Sequence, residues 1–152
     1  MPVCHGEMEW VVDIDAAPRT NSPRTIQGET HMSTNDTYLA IFLGSKTSAR
    51  AKAWNAMTES ERAAKQKEGG AAWGGWMAKH DASIVASGGP LGKTKRVSGH
   101  GVEDASNEVG AFVVVRAPSH EAAAKMFENH PHFSIFPGEA VEIMPVLPIP
   151  QV

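Results

Sequence analysis

From Thr37 onward, apolar positions recur with the periods of strands and helices, whereas the first 36 residues show no sustained stripe. TYLAIFL (37–43) is a short apolar run of strand length. Ser48 can cap a short helix over ARAKAWNAM (49–57), which carries Trp54 and Met57. Thr58 and Glu61 then match a capping box, in which the hydroxyl takes an orphan amide and the carboxylate reaches back. Beyond it, Trp73, Trp76, Met77 and His80 fall at i, i+3, i+4 and i+7, one face of a helix. Gly69-Gly70 and Gly74-Gly75 interrupt that stretch, each costing about 1 kcal/mol relative to alanine. A break is expected there, or the close approach of another backbone or a ligand.

SIVAS (83–87) reads as the second strand, closed by Gly88-Gly89-Pro90, with the polar KTKRV (93–97) as its continuation on an exposed edge. After a loop, GAFVVVRA (110–117) is the clearest strand in the chain. Ser119 caps a second helix with Ala122, Ala123, Met126 and Phe127 on one face. VEIMPV (141–146) is the last strand, and Pro145 within it argues for an edge or a strand end. The order β-α-β-β-α-β implies an α+β, ferredoxin-like domain: a four-stranded antiparallel sheet with both helices on one face. The other face then needs a cover, and a second copy of the chain is the expected one.

Composition bounds the reading further. The 152 residues suffice for one ordinary domain, over 37–152. With 41% apolar and 20% charged residues, a sizeable core can form. A formal charge of −3 leaves no basic footprint for nucleic acid, and no apolar run is long enough to span a membrane. The single cysteine, Cys4, excludes an intramolecular disulfide framework. With no secretory signal visible, the protein reads as soluble and cytoplasmic. Residues 1–36 read as an N-terminal extension: EMEWVVDID (7–15) could pair as a strand, and a Pro/Thr/Ser/Asn-rich linker follows. Met32 would serve as a natural start, so residues 1–31 are expected to derive from an upstream start codon.

The pattern Trp73, Trp76, Met77, then Gly88-Gly89-Pro90-Leu91, resembles the YCII-related (DGPF-domain) family. So do Gly110-Ala-Phe-Val-Val-Val, the helix start at Ser119 and Ala122, the His130-Pro131 helix exit and the closing Val-Glu-Ile-Met-Pro-Val. The resemblance covers about residues 37–148. It implies a ferredoxin-like protomer in a dimeric α+β barrel, with a cleft per protomer between helices and sheet. Most members have no assigned activity. A few are tied to degradation of aromatic ring-cleavage or halogenated compounds, with a histidine and an aspartate moving protons. The tetrapeptide DGPF falls on Ser98-Gly99-His100-Gly101, so its aspartate is missing, and only the glycine and the later acid Glu103 line up. The histidine of one branch falls close to Gly74, so it too is absent.

NHPHF (129–133) holds the most suggestive side chains. Pro131 should end the helix and push His130 out of helical geometry. If the stretch is then extended, His130 and His132 share a face, as a metal-ligand pair or with one imidazole placed for proton transfer. A third ligand would have to come from His100, Asp104 or Glu139. The plainer reading is a helix C-terminus where histidine caps carbonyls. His80 lies on the apolar stripe, where a histidine is usually a satisfied core residue. Trp73 and Trp76 could wall a site for a flat ligand or simply be core. The loop SGHGVEDASNE (98–108) supplies a second cluster, His100, Glu103 and Asp104.

These features suggest a lyase or isomerase moving protons on a small carbonyl or phenolic compound. His130 or His132 is then the acid/base, oriented by Glu103 or Asp104, with Trp73, Trp76 and His100 contacting the ligand. No cofactor and no metal is implied, and the expected partners are a second copy and a small molecule. The alternative is a non-catalytic ligand-binding or structural homodimer.

Overall fold

A computed structural model describes residues 36–151. The strand expected at 7–15, Cys4 and the proposed start at Met32 lie outside the described residues. Strand β1 (Asp36–Leu43) is followed by helices α1 (Ala49–Ala56) and α2 (Glu59–Lys79) and a short turn of 3₁₀ helix. Then come β2 (Ile84–Pro90), β3 (Thr94–Ser98), β4 (Gly101–Ala105), β5 (Val109–Ala117), α3 (His120–Lys125), α4 (Pro131–Ser134) and β6 (Ala140–Pro145). The protein is mixed α+β. Its main sheet has four antiparallel strands in the order β2-β5-β1-β6, and β3 and β4 form a separate two-stranded sheet.

Alternation along β1 decides where the core sits. Tyr38, Ala40 and Phe42 are buried on one face and join Val113, Val115 and Ala117 of β5, which cluster with Trp76, Ala123 and Phe127 from the helical side. Trp76 also donates its indole N–H to the Met126 carbonyl at 2.8 Å, tying α2 to the turn after α3. Leu39 and Ile41 face the opposite way and are half-buried. Register puts Leu39 beside Val114 and Met144, and Ile41 between Phe112 and Glu142, so this second face is apolar along β1 and β5 with a carboxylate on the edge strand. Pro145 ends the edge strand β6, where its missing N–H breaks no ladder on the open side.

Several expectations need correction. The four glycines do not break α2. Its capping box forms as read, with Thr58 N–H donating to Glu61 Oε2 at 2.8 Å and Glu61 N–H to Thr58 Oγ1 at 3.2 Å. Packing of the Trp73 and Trp76 face then outweighs the glycine penalty. Gly69 has its own reason: a Cβ there would lie 2.5 Å from the Phe136 ring. KTKRV does not continue β2. It pairs instead with the segment expected to be loop, through Lys95 opposite Asp104 and Val97 opposite Val102. Alternation in such polar stretches marks a strand without naming its partner. The ladder of β2 itself is irregular: Gly88 sits at φ +58°, and its Cα packs so close to the Phe112 carbonyl that a side chain would overlap it. Helix α3 ends at Lys125, two residues earlier than its apolar face suggested, although Phe127 in the next turn is still core.

Candidate functional site

The chain around NHPHF is neither a helix end alone nor an extended run. Asn129 takes a left-handed conformation, φ 55°, which asparagine adopts more readily than most residues. His130 is then extended, as a residue before proline should be. Pro131 opens α4 rather than merely closing α3, because a first-turn position needs no N–H. His130 is therefore the N-cap of a new turn, and the two histidines do not share a strand face.

Those two imidazoles occupy different surroundings. His130 is fully buried, caged by the rings of Trp73 (4.6 Å between centroids), Trp76 (4.8 Å), Phe42 (5.0 Å) and Phe127 (5.9 Å). Its Nδ1 accepts the His132 backbone N–H at 3.1 Å, and its Nε2 has no hydrogen-bond partner among the described residues. An accepting Nδ1 places the single proton of the neutral ring on Nε2, against the aromatic cage. Burial, with smaller contributions from the charges of His132 and His80, pushes its pKa down to about 4. His130 is a neutral core residue at physiological pH.

His132 is half-buried and lines open space. Its Nε2 lies 2.7 Å from the Leu43 carbonyl. A carbonyl only accepts, so Nε2 carries the proton and the neutral ring presents Nδ1 as a free lone pair. Nδ1 makes no hydrogen bond among the described residues. Burial lowers the His132 pKa; the Leu43 carbonyl opposes this, Arg50 adds to it and Glu139 opposes it. Gly138 packs against that same Nε2 edge, where a Cβ would overlap the imidazole and the His132 carbonyl. Arg50 of α1 donates to the Phe133 carbonyl and straps α1 to α4.

Two clefts meet at this ring. One, about 440 Å³, has apolar walls from Ala51, Trp54, Phe136 and Pro137. The other, about 800 Å³, runs under the base of the β3–β4 hairpin. Gly44, Lys46 and His132 belong to both.

Of the residues singled out from sequence, the structure brings His132 and Asp104 to one cleft. Asp104 is held by a salt bridge to Lys95. Glu103, its neighbour along β4, alternates to the other side of the hairpin and pairs with Arg96 at 3.3 Å. His100 is exposed in the hairpin turn. Trp73 and Trp76 line neither cleft and pack instead around His130. His80 lies tilted against Trp76 with 4.7 Å between ring centroids, and burial lowers its pKa. Among the described residues no three His, Cys, Asp or Glu side chains converge as a metal site. Lys46, Phe136 and Gly138 were not foreseen. A signal existed for two of them, since Phe136-Pro137-Gly138 is a turn motif four residues past His132.

No protein-family model and no curated protein matches this chain. Among the described residues no helix is long and apolar enough to cross a membrane.

Proposed function

We propose that this protein is a YCII-related, ferredoxin-like homodimer that moves a proton on a small carbonyl or phenolic compound, as a lyase or isomerase, with His132 as the base. The observation that carries the reading is the His132 ring, locked through Nε2–H onto the Leu43 carbonyl at the meeting point of two clefts. A base held neutral, with one tautomer and an accessible lone pair, is what proton abstraction requires. A C–H proton beside a carbonyl passes to Nδ1 while the electron pair moves onto the carbonyl oxygen. Return of that proton to another carbon completes an isomerisation, and loss of a β-leaving group completes a lyase reaction. The step calls on no cofactor. The sheet order β2-β5-β1-β6, with two added strands between β2 and β5, supports the ferredoxin-like reading. The apolar face of Leu39, Ile41, Phe112 and Val114 supports a second copy as its cover.

Non-catalytic binding is the second reading. It is favoured by the salt bridge to Lys95 that engages Asp104, the acid singled out from sequence that lines the same cleft as His132. Deuterium exchange decides between them. Small ketones, lactones and phenols incubated with the protein in D₂O are followed by proton NMR. Exchange at carbons next to a carbonyl or phenol, falling by about 10²–10⁴-fold in His132→Gln, supports catalysis. Saturable binding without exchange, or exchange unchanged in His132→Gln, overturns it.

A further inference from the structure

The chemistry of the two clefts differs, and the difference selects a ligand. The smaller cleft presents Trp54 and Phe136, whose rings lie 5.9 Å apart, together with Ala51 and Pro137. Its volume, about 440 Å³, suits a flat apolar body the size of one ring. The larger cleft carries three lysines, Lys46, Lys93 and Lys95, against two carboxylates, Asp104 and Glu108. Lys95 and Asp104 neutralise each other. Lys46 and Lys93 make no ion pair among the described residues. Glu108 lines the larger cleft alone, whereas Lys46 lines both, as His132 does. Lys46 is therefore the one charged side chain among the described residues that lines both clefts with His132, while Arg50 and Glu139 act on the His132 ring with opposite signs.

We infer that the ligand is a small amphipathic carboxylate: an apolar ring or chain in the Trp54–Phe136 cleft, its carboxylate on Lys46, and the atoms between them at His132 Nδ1. This assignment rests on the proton-transfer reading for the role of His132, but the choice of an anion rests on Lys46 and the apolar wall alone. A carboxylate two or three bonds from the reacting carbon fixes which proton faces Nδ1, which a ring held only by apolar contact would leave free to turn. Lys46 is exposed, so the selectivity it confers is modest and falls with salt.

The test uses 3-phenylpropanoate and its uncharged amide, 3-phenylpropanamide, as unreactive probes with the full-length protein. Binding is read from the ring-nitrogen and carbon-bound proton signals of His132 and from the indole N–H signal of Trp54, assigned by its loss in Trp54→Phe. The carboxylate is expected to bind about tenfold more tightly than the amide at low salt. Lys46→Gln should abolish that preference. Lys65→Gln, which removes an exposed lysine of α2 paired with Glu68, should preserve it. Equal affinity for the two probes, no binding of either, or a preference that survives Lys46→Gln overturns the ligand class. Carboxylate-selective binding that perturbs Trp54 without touching His132 leaves the class standing and sinks the role given to His132.

Discussion

The cage around His130 makes a quantitative statement about acid. The ring is wholly buried and its pKa falls from 6.5 to about 4. Its unfolded counterpart therefore binds a proton first as pH drops. Between those two values the unfolded state holds more protons than the folded one, so stability is present above pH 6.5 and is lost as pH falls towards 4. Linkage gives a loss of about 1 kcal/mol by about pH 5.5 and about 3 kcal/mol by about pH 4 from this one side chain. His132 and His80 shift in the same direction, so the whole protein should lose more than that. His130→Asn isolates the contribution, because its Oδ1 can replace Nδ1 as acceptor for the His132 N–H and cap α4 without titrating. The void left by the missing ring atoms costs about 1–2 kcal/mol at every pH. Urea unfolding should thus find the variant the less stable protein near neutrality, with the gap closing on acidification and reversing between about pH 6 and about pH 5. Parallel stability curves for the two proteins between about pH 7.5 and 4 would refute the assignment of His130 as a buried neutral ring.

Three further outcomes follow from the packing. Gly70→Ala and Gly74→Ala meet open space within α2 and should each raise stability by up to about 1 kcal/mol, whereas Gly69→Ala must displace Phe136 and should lower it by about 1–3 kcal/mol; thermal unfolding of the three variants distinguishes them. Gly138→Ala forces the His132 ring off the Leu43 carbonyl, and NMR should then show the loss of a single Nε2–H tautomer together with a lower unfolding midpoint. Ile41→Lys, on the open sheet face opposite the core, should convert the proposed homodimer to a monomer with retained secondary structure, measured by sedimentation and circular dichroism; a monomeric wild type would remove the dimer from the proposal.

Residues with a strong local period could be read without the fold. The alternation of Tyr38, Ala40 and Phe42, the run Phe112–Val115, the Thr58–Glu61 capping box and the Trp73/Trp76 face each carry a signal within one element, and each element forms there. His130 leaving helical geometry was equally legible, because the constraint comes from the next residue in the chain. The continuity of α2 was not, since the Gly69 contact that accompanies it comes from Phe136, far along the sequence. The pairing of β3 with β4 was hidden for a related reason: polar strands on a two-stranded hairpin bury too little to leave a one-sided pattern.

The site divides along the same line. Sequence alone singled out two histidines two residues apart and could not tell them apart, because both follow the same helix and flank the same proline. Tertiary structure separated them by environment. Four aromatic rings from β1, α2 and the α3 turn exclude water from His130, while the Leu43 carbonyl and the gap at Gly138 hold His132 at the rim of two clefts. Local preferences are set by neighbours along the chain and are therefore written in it. The protonation and access of an imidazole depend on groups brought from distant positions, and only the assembled fold supplies those.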